Sequence, residues 1–343
     1  MLSMKTVQLE TPGKFRVIEE PEPQRKPGEA LVHVRSIGVC GTDIHAYHGR
    51  QPFFEYPRIL GHELGVEILE IEDNELGLEA GDKCSVEPYL NNPATPASRL
   101  GKSNCCEELE VLGVHTDGGM RPLLSLPIHK LHKANDLSFD QLALIETICI
   151  GAHGIERSQL TPDETILIFG SGPIGLGAIQ SAQSLAAQVI VADINPDRLD
   201  FCRHTINVPH TLRADEADFE DQLRSLCNGN LPQVVLDATG NRQSMQRTFS
   251  LTAHGGRIVF LGLLMGDIAF DDPNFHRREL TLLASRNATP DTFKSVINAV
   301  SDGSIDTNPW VTHHMELLEV PEKFEDTISE PGLIKAVIQV REE

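Results

Sequence analysis

A glycine-rich turn between a predicted strand and a predicted helix constrains the fold of this chain more than any other feature. The apolar run Thr165–Phe169 is typical of a buried strand, and it leads directly into the run GSGPIG at residues 170–175. Residues 174–187 have a composition compatible with a helix, and residues 188–192 are typical of a second strand, which ends on Asp193. This order of strand, G-x-G-x-x-G, helix, strand and acid is the dinucleotide-binding fingerprint.

The turn predicts a binding site for the phosphates of a dinucleotide. Its first glycine permits the tight turn, its second lets the backbone approach a pyrophosphate, and its third lets the helix pack closely on the strand. The start of the helix presents free N–H groups to the phosphates. The predicted cofactor-binding residues of the turn are Gly170, Gly172, Pro173, Ile174 and Gly175.

Cysteine, histidine and glutamate side chains predict a catalytic metal site. Cys40 opens the run CGTDIH, and His62 and Glu63 stand together in the run GHE. A further carboxylate, Glu146, lies in an apolar stretch where its charge would be costly without a partner. A thiolate, an imidazole and a carboxylate are ligand types that zinc accepts. We therefore predict one catalytic zinc at Cys40, His62, Glu63 and Glu146, and the choice between Glu63 and Glu146 as direct or water-mediated ligand stays open.

At these motifs the sequence resembles the zinc-dependent medium-chain dehydrogenases, which include the alcohol, sorbitol and threonine dehydrogenases. The resemblance covers essentially the whole chain. It implies an α/β protein in which a GroES-like β-barrel catalytic domain, residues 1–150 and 290–343, carries an inserted Rossmann domain with a doubly wound parallel sheet, residues 151–289. It also implies hydride transfer between an alcohol carbon and a nicotinamide ring, with zinc as the Lewis acid.

The resemblance also assigns roles in proton transfer near Cys40. Thr42 matches the position whose hydroxyl hydrogen-bonds the substrate alcohol and passes its proton on. His45 matches the relay imidazole at the solvent end, a task that suits a pKa near neutrality. We expect Asp43 to accept a hydrogen bond from the free N–H of His62, which would fix the tautomer of that ring.

The carboxylate of Asp193 predicts NAD rather than NADP. It can accept hydrogen bonds from the ribose hydroxyls of the adenosine, and it would repel a 2′-phosphate. Arg198 matches a family position that contacts the adenosine ribose, so it does not by itself imply NADP.

A structural zinc site found in many members of this family is lost here. Those members hold the zinc with four cysteines in a lobe, at the spacing C-x₂-C-x₂-C-x₇-C. The matching positions are Asn92, Thr95, Ser98 and Cys106, so three of the four thiolates are missing. We predict that the structural zinc is absent and that this 92–106 lobe is held by its prolines and by packing, with Cys106 a buried thiol.

The patterns outside the motifs predict the remaining architecture. Residues 138–157 have a long helical pattern, with Ser138 as the N-cap. Strands and helices alternate from residue 165 to residue 285, which predicts a parallel sheet. A closing strand at residues 334–340 returns to the first domain, as the family resemblance implies.

Three segments, residues 114–120, 270–279 and 284–289, resemble a subgroup that oxidises hexonates at C5, the L-galactonate and L-gulonate 5-dehydrogenases. Arg286 occupies the position where polyol dehydrogenases place an arginine at the substrate cleft, and a guanidinium there can pair with a carboxylate. Alternatively, Arg286 contacts only the cofactor or the other domain. The alternative functions are oxidation of a neutral polyol of the sorbitol type and, in a different class, cofactor binding without catalysis.

Charge and composition narrow the partners to a small-molecule substrate. A net charge of −21 argues against nucleic acid and anionic membranes, because both require clustered lysine and arginine. No apolar run of about 18 residues is present, so no transmembrane helix is expected. The odd number of cysteines, seven, indicates reduced thiols, and without an apolar signal segment we expect a cytoplasmic protein. The resemblance suggests a homodimer or homotetramer.

Overall fold

The computed structural model describes residues 3–52 and 54–341, which form two compact units. The first unit extends to residue 146 and also includes residues 289–301 and the chain from residue 307 onward. The second unit consists of residues 147–288 and 302–306. Within the described ranges, no helix combines the length and the apolar character needed to cross a membrane.

The strands and helices follow in chain order. The strands are β1 (Ser3–Thr11), β2 (Lys14–Pro21), β3 (Glu29–Gly38), β4 (Glu63–Glu70), β5 (Lys83–Val86), β6 (Tyr89–Leu90), β7 (Glu110–Val111), β8 (Leu123–Pro127), β9 (Leu131–Lys133), β10 (Thr165–Phe169), β11 (Gln188–Asp193), β12 (His210–Arg213), β13 (Val234–Asp237), β14 (Arg257–Phe260), β15 (Thr281–Ala284), β16 (Val311–Glu316) and β17 (Lys335–Gln339). The helices are α1 (Gly41–Tyr47), α2 (Pro96–Arg99), α3 (Phe139–Ser158), α4 (Pro173–Ser184), α5 (Pro196–His204), α6 (Phe219–Leu226), α7 (Arg242–Leu251), α8 (Asp272–Arg277), α9 (Pro290–Ser301) and α10 (Val320–Ser329).

The first unit is built around a seven-stranded, mostly antiparallel sheet. Its order is β16-β17-β3-β4-β5-β9, with β8 also pairing with β3. Among the described strands of this sheet, β16 and β17 are the one parallel pair. Apolar side chains such as Val32, Leu64 and Ile338 form its core and are fully buried. Strand β17 pairs with β3, so residues 335–339 lie in the same sheet as residues 29–38, while β1 and β2 form a separate two-stranded sheet.

The second unit contains a six-stranded parallel sheet of order β12-β11-β10-β13-β14-β15. Numbered within this unit, the order is 3-2-1-4-5-6, the order of dinucleotide-binding domains. Strand β10 has the predicted bounds, and the central strands are continuous buried runs because helices cover both faces of such sheets. The predicted parallel sheet is confirmed.

Helix α3 begins where the sequence predicts. The hydroxyl of Ser138 accepts a hydrogen bond from the backbone N–H of Gln141 at 3.2 Å. The side-chain oxygen of Gln141 in turn accepts from the backbone N–H of Ser138 at 3.0 Å. This reciprocal pair is a capping box, and it fixes the start of the helix that carries Glu146.

The glycine-rich turn joins β10 to α4 in a conformation that requires glycine at two positions. Gly170 has a φ of +90°, a value that other residues rarely adopt. A Cβ atom on Gly175 would lie 1.9 Å from the carbonyl oxygen of Gly170, whereas a Cβ atom on Gly172 would meet nothing closer than a nitrogen of Arg198 at 3.7 Å. Close packing of helix on strand therefore depends on Gly175 and not on Gly172.

This contrast predicts different effects of alanine at two glycines of one turn. We expect Gly175→Ala to destabilise the second unit by about 1–3 kcal/mol or more, because backbone would have to move to admit the methyl group. Gly172→Ala should change stability by less than about 0.5 kcal/mol. Urea unfolding of both variants measures the difference, and equal losses would contradict this account of the turn.

Candidate metal centre

The strand ends of the main sheet bring the predicted ligands together. Cys40 lies just beyond the end of β3 and precedes α1, while His62 and Glu63 lie at the start of β4. Strands β3 and β4 are antiparallel, and Gly38 pairs with Glu63. The end of one strand therefore adjoins the beginning of the other, and residues far apart in sequence meet at one end of the sheet.

Ligand atoms of Cys40, His62 and Glu63 lie within 4.8 Å of one another. His62 and Glu63 are buried, and Cys40 is partly exposed. Burial alone would lower the pKa of His62, but Cys40 and Asp43 raise it, and the result lies well above the usual value for histidine. The imidazole thus lies in a strongly negative environment that favours a positive charge.

Asp43 approaches His62 but does not form the predicted hydrogen bond. Its Oδ1 is 3.8 Å from His62 Nδ1, which is too long for a hydrogen bond, and both buried atoms lack a hydrogen-bond partner among the described residues. The thiol of Cys40 also lies close to the imidazole, and together with Asp43 it raises the pKa of the ring. Asp43 Oδ2 accepts from the backbone N–H of Cys40 at 2.9 Å, so Asp43 shapes the turn that presents the thiol.

A lysine that the sequence analysis did not identify completes the cluster. Lys335, the first residue of β17, is 2% exposed and forms an ion pair with Glu63 Oε2. Burial acts to lower the pKa of Lys335, but Glu63 and Cys40 raise it above its usual value. Gly38 makes room for the pair, since a Cβ atom there would lie 2.1 Å from Glu63 Oε2. In the sequence, Lys335 directly precedes the apolar run at residues 336–338, and this position of a lysine was the signal that could have identified it.

Glu146 is held beside this cluster by a tyrosine that was also missed. The hydroxyl of Tyr89 donates a hydrogen bond to Glu146 Oε1 at 2.5 Å, and both side chains are buried. Burial raises the pKa of Glu146, and the opposing influence of His62 does not reverse the shift. Glu146 is not part of the set of ligand atoms within 4.8 Å found among the described residues.

The residues present fit a zinc ion. Zinc bonds of roughly 2.0–2.3 Å allow one ion to bridge donor atoms separated by the distances in this cluster. Sulfur, nitrogen and oxygen donors together suit zinc. Among the described residues, Nδ1 of His62 and Oδ1 of Asp43 are buried without hydrogen-bond partners and lie 3.8 Å apart, so a metal ion held by the ring would leave Nδ1 facing this carboxylate.

Comparison with known proteins agrees with this geometry. Residues 26–136 match the alcohol dehydrogenase GroES-like domain, and residues 173–302 match the zinc-binding dehydrogenase domain. The chain is 43% identical over 311 residues to L-galactonate-5-dehydrogenase of Escherichia coli K12, covering 90% of this chain and 91% of that protein. This chain belongs to the zinc-binding alcohol dehydrogenases. The resemblance, the fold class and the enzyme class expected from the sequence are confirmed.

Two solved structures of relatives carry a nicotinamide cofactor. The RspB alcohol dehydrogenase of E. coli CFT073, in complex with NADH, is 26% identical with a TM-score of 0.90, covering 98% of this chain and 99% of that one. A zinc-binding dehydrogenase of Sinorhizobium meliloti 1021, bound to NADP, is 25% identical with a TM-score of 0.90, covering 99% and 100%. Members of this zinc-binding dehydrogenase family thus differ in the nicotinamide cofactor found in their structures.

In the second unit, the acid predicted to select the cofactor is fixed against the glycine-rich turn. Asp193 Oδ2 accepts hydrogen bonds from the backbone N–H and the hydroxyl of Ser171, each at 2.7 Å, and Oδ1 accepts from the N–H of Asn195 at 2.9 Å. Asn195 caps α5, whose first turn carries Arg198. The turn and the end of β11 are therefore one hydrogen-bonded unit.

The remaining predicted residues lie on α1 and near β15. Thr42 is half-buried in the first turn of α1, and His45 is exposed near the end of that helix. Arg286, in the second unit, follows β15 and is exposed. Exposure of His45 is compatible with proton exchange with water.

The 92–106 lobe is held by a hydrogen-bond hub at the positions that carry zinc ligands in other family members. The hydroxyl oxygen of Thr95 lies 3.1 Å from the carbonyl oxygen of Asn92, 3.1 Å from the hydroxyl of Ser98 and 3.4 Å from the sulfur of Cys106. Cys106 is 2% exposed, as expected for a buried thiol. Hydrogen bonds therefore help to hold this lobe, in addition to the prolines and the packing that the sequence analysis invoked.

Lys335 should be the main electrostatic support of the metal-free site. We expect Lys335→Met to destabilise chelator-treated protein by about 3–5 kcal/mol, because Glu63 would remain buried without its cation. Lys335→Met/Glu63→Gln should recover more than half of the loss. Urea unfolding measures this, with Lys133→Met as the control, since the ion pair of Lys133 with Asp82 is partly exposed and is worth less than about 1 kcal/mol. No recovery in the double variant would contradict the role of Lys335.

The hub of the lobe can be tested with an isosteric change. Thr95→Val keeps the side-chain volume and removes the hydroxyl, so we expect a loss of about 1–2 kcal/mol in the free energy of unfolding. Ser103→Ala in the same lobe is the matched control, because the hydroxyl of Ser103 has no hydrogen-bond partner among the described residues. Equal effects of the two changes, measured by urea unfolding, would refute the hub.

Proposed function

We propose that this chain is a zinc-dependent dehydrogenase that oxidises the C5 alcohol of a hexonate, such as L-galactonate or L-gulonate, with NAD as hydride acceptor. The observation that carries the proposal is the buried cluster of Cys40, His62 and Glu63 in a chain 43% identical to an L-galactonate-5-dehydrogenase. The cluster supplies the chemistry, and the similarity along nine-tenths of both chains supplies the substrate class.

Cys40, His62, Glu63 and Glu146 are the residues that would hold the zinc. When bound there, zinc supplies a Lewis acid that lowers the pKa of an alcohol. Lys335 offsets the charge of Glu63, and Tyr89 holds one oxygen of Glu146. The side chains that would hold the ion are largely buried, and burial strengthens electrostatic interactions relative to those in water.

Thr42 and His45 carry the proton away in this proposal. Both lie on α1, directly after Cys40, so the helix that follows the thiol ligand also carries the proton path. The hydroxyl of Thr42 accepts the proton of the substrate alcohol and passes its own proton on. The exposed imidazole of His45 delivers a proton to water.

The second unit would hold the cofactor at residues 170–175, Asp193 and Arg198. The N–H groups in the first turn of a helix have no acceptor within that helix, and Pro173 has no N–H group. The N–H groups of Ile174 and Gly175 at the start of α4 would therefore be the donors to a pyrophosphate. NAD, when bound there, supplies the hydride acceptor. Asp193 keeps lone pairs for ribose hydroxyls, and its charge opposes a 2′-phosphate, which supports at least about a tenfold preference for NAD over NADP in kcat/KM, or roughly 1.4 kcal/mol.

The proposal also assigns a separate role to each of the two domains. Residues 1–150 and 290–343 would form the catalytic domain, and residues 151–289 the cofactor domain.

We also propose a cytoplasmic homodimer or homotetramer that assembles through β15. This edge strand of the parallel sheet has Leu282 exposed, unlike the fully buried apolar residues of the central strands. The unpaired backbone groups of an exposed apolar edge strand can pair with the same strand of a second chain.

Arg286 is the proposed partner of the substrate carboxylate. We expect Arg286→Ala to raise the KM for the hexonate about 30- to 100-fold with little change in kcat, because a charge-assisted pair worth roughly 2–3 kcal/mol is lost equally from ground and transition states. The KM for a neutral polyol and the affinity for NAD should be unchanged. Arg277→Ala, another exposed arginine of the second unit, is the control.

The whole proposal is tested on purified protein by elemental analysis and by NAD reduction with a panel of hexonates and neutral polyols. We expect about one zinc per chain and the highest kcat/KM on a hexonate. Highest activity on sorbitol would favour the polyol alternative, and absence of both zinc and activity would favour a non-catalytic protein. If Arg286→Ala weakens NAD binding and affects both substrate classes equally, Arg286 belongs to the cofactor site.

A further inference from the structure

We infer that Tyr89 is a positioning residue that fixes the carboxylate of Glu146 for metal binding and thereby sets the zinc affinity of the site. The inference rests on the proposed function, since it concerns the same metal site. Tyr89 has no role in the sequence analysis. Its hydroxyl, at 2.5 Å from Glu146 Oε1, is the contact that carries the argument.

Tyr89 is itself held rigidly. It lies on β6 and pairs with Val111 of β7, so its backbone is fixed by a short antiparallel ladder. Its ring is 2% exposed and packs edge-on against Phe293 of α9, with ring centroids 6.2 Å apart. A side chain fixed at both its backbone and its ring can hold a flexible partner in one orientation.

Glu146 needs such a partner. A glutamate has three rotatable side-chain bonds, and this one lies in an apolar stretch of α3 and is 5% exposed. The hydrogen bond from Tyr89 occupies Oε1, which leaves Oε2 as the atom for a cation or its bound water. Because the rotamer is already selected, little side-chain entropy remains to be lost when a metal ion binds.

The two carboxylates of the site are held by different chemistry. Glu63 is held by the positive charge of Lys335, which weakens the attraction of Glu63 for a second cation. Tyr89 donates a neutral hydrogen bond and leaves the full attraction of an ionised Glu146 available to the metal. Removal of the Tyr89 hydroxyl should therefore affect metal binding more than fold stability.

The test compares zinc affinity of full-length Tyr89→Phe and wild-type protein by competition with a chelator. We expect affinity to fall about 10- to 100-fold in Tyr89→Phe, the usual range when the partner of a metal ligand is lost. The ring and its packing on Phe293 are retained, and thermal melting identifies a temperature at which both proteins are folded. Tyr56→Phe is the matched control, since it removes a hydrogen bond of a tyrosine hydroxyl, to the carbonyl oxygen of Ala46, that involves none of the predicted metal ligands.

A double-variant cycle shows whether Tyr89 acts through Glu146. In a Glu146→Ala background, Tyr89→Phe should cause no further loss of zinc affinity. Cobalt substituted for zinc gives a second measurement: the thiolate-to-cobalt absorption from Cys40 should persist in Tyr89→Phe, while the ligand-field bands shift. Unchanged zinc affinity in Tyr89→Phe, or an equal loss in the Glu146→Ala background, overturns the inference. Wild-type protein that binds no zinc would instead overturn the proposed function.

Discussion

An excess of buried negative charge at one end of the main sheet governs the architecture of the metal site. Four groups that can carry negative charge lie around His62: Cys40, Asp43, Glu63 and Glu146. Lys335 supplies one positive charge from β17. Without metal, protonation of His62 supplies a second positive charge, because the pKa of this ring is raised. A bound zinc ion would supply two positive charges, and the ring would then be neutral. The raised pKa of His62 therefore indicates a site suited to a cation.

Features determined by a short stretch of chain were predictable from the sequence. Strand β10 and the turn at residues 170–175 follow from an apolar run and from the steric demands of glycine, and both are local properties. The start of α3 at Ser138 follows from a side chain that bonds backbone three residues away. Such features can be recognised without knowledge of the tertiary structure, because the interacting residues are close together in the sequence.

Residues whose roles depend on distant partners were not predictable in the same way. Tyr89 lies 57 residues from Glu146, and Lys335 reaches Glu63 only because β17 and β4 both flank β3. Gly38 is required by the side chain of Glu63, which faces it across a strand pair. Asp43 was predicted to accept a hydrogen bond from His62, but the structure holds Asp43 Oδ1 and His62 Nδ1 3.8 Å apart, while Oδ2 accepts from the backbone N–H of Cys40. Motifs predict which residues could be ligands, and tertiary contacts decide how each of them is held.

In the 92–106 lobe, neutral contacts join the positions where the sequence predicts a missing structural zinc, and such contacts hold a chain less rigidly than a metal does. A structural zinc joins four points of the chain with a binding free energy of about 10–16 kcal/mol, whereas each neutral hydrogen bond contributes about 0.5–1.5 kcal/mol. The hub at Thr95 joins the same positions more weakly. Strand β6 lies at the base of this lobe and carries Tyr89, while β7, its pairing partner, lies beyond the lobe. Loosening of the lobe would therefore disturb the β6–β7 pair and, through one hydrogen bond, the carboxylate of Glu146. In this chain, the order of a lobe predicted to lack its own metal and the orientation of Glu146, a proposed zinc ligand, depend on the same two-residue strand.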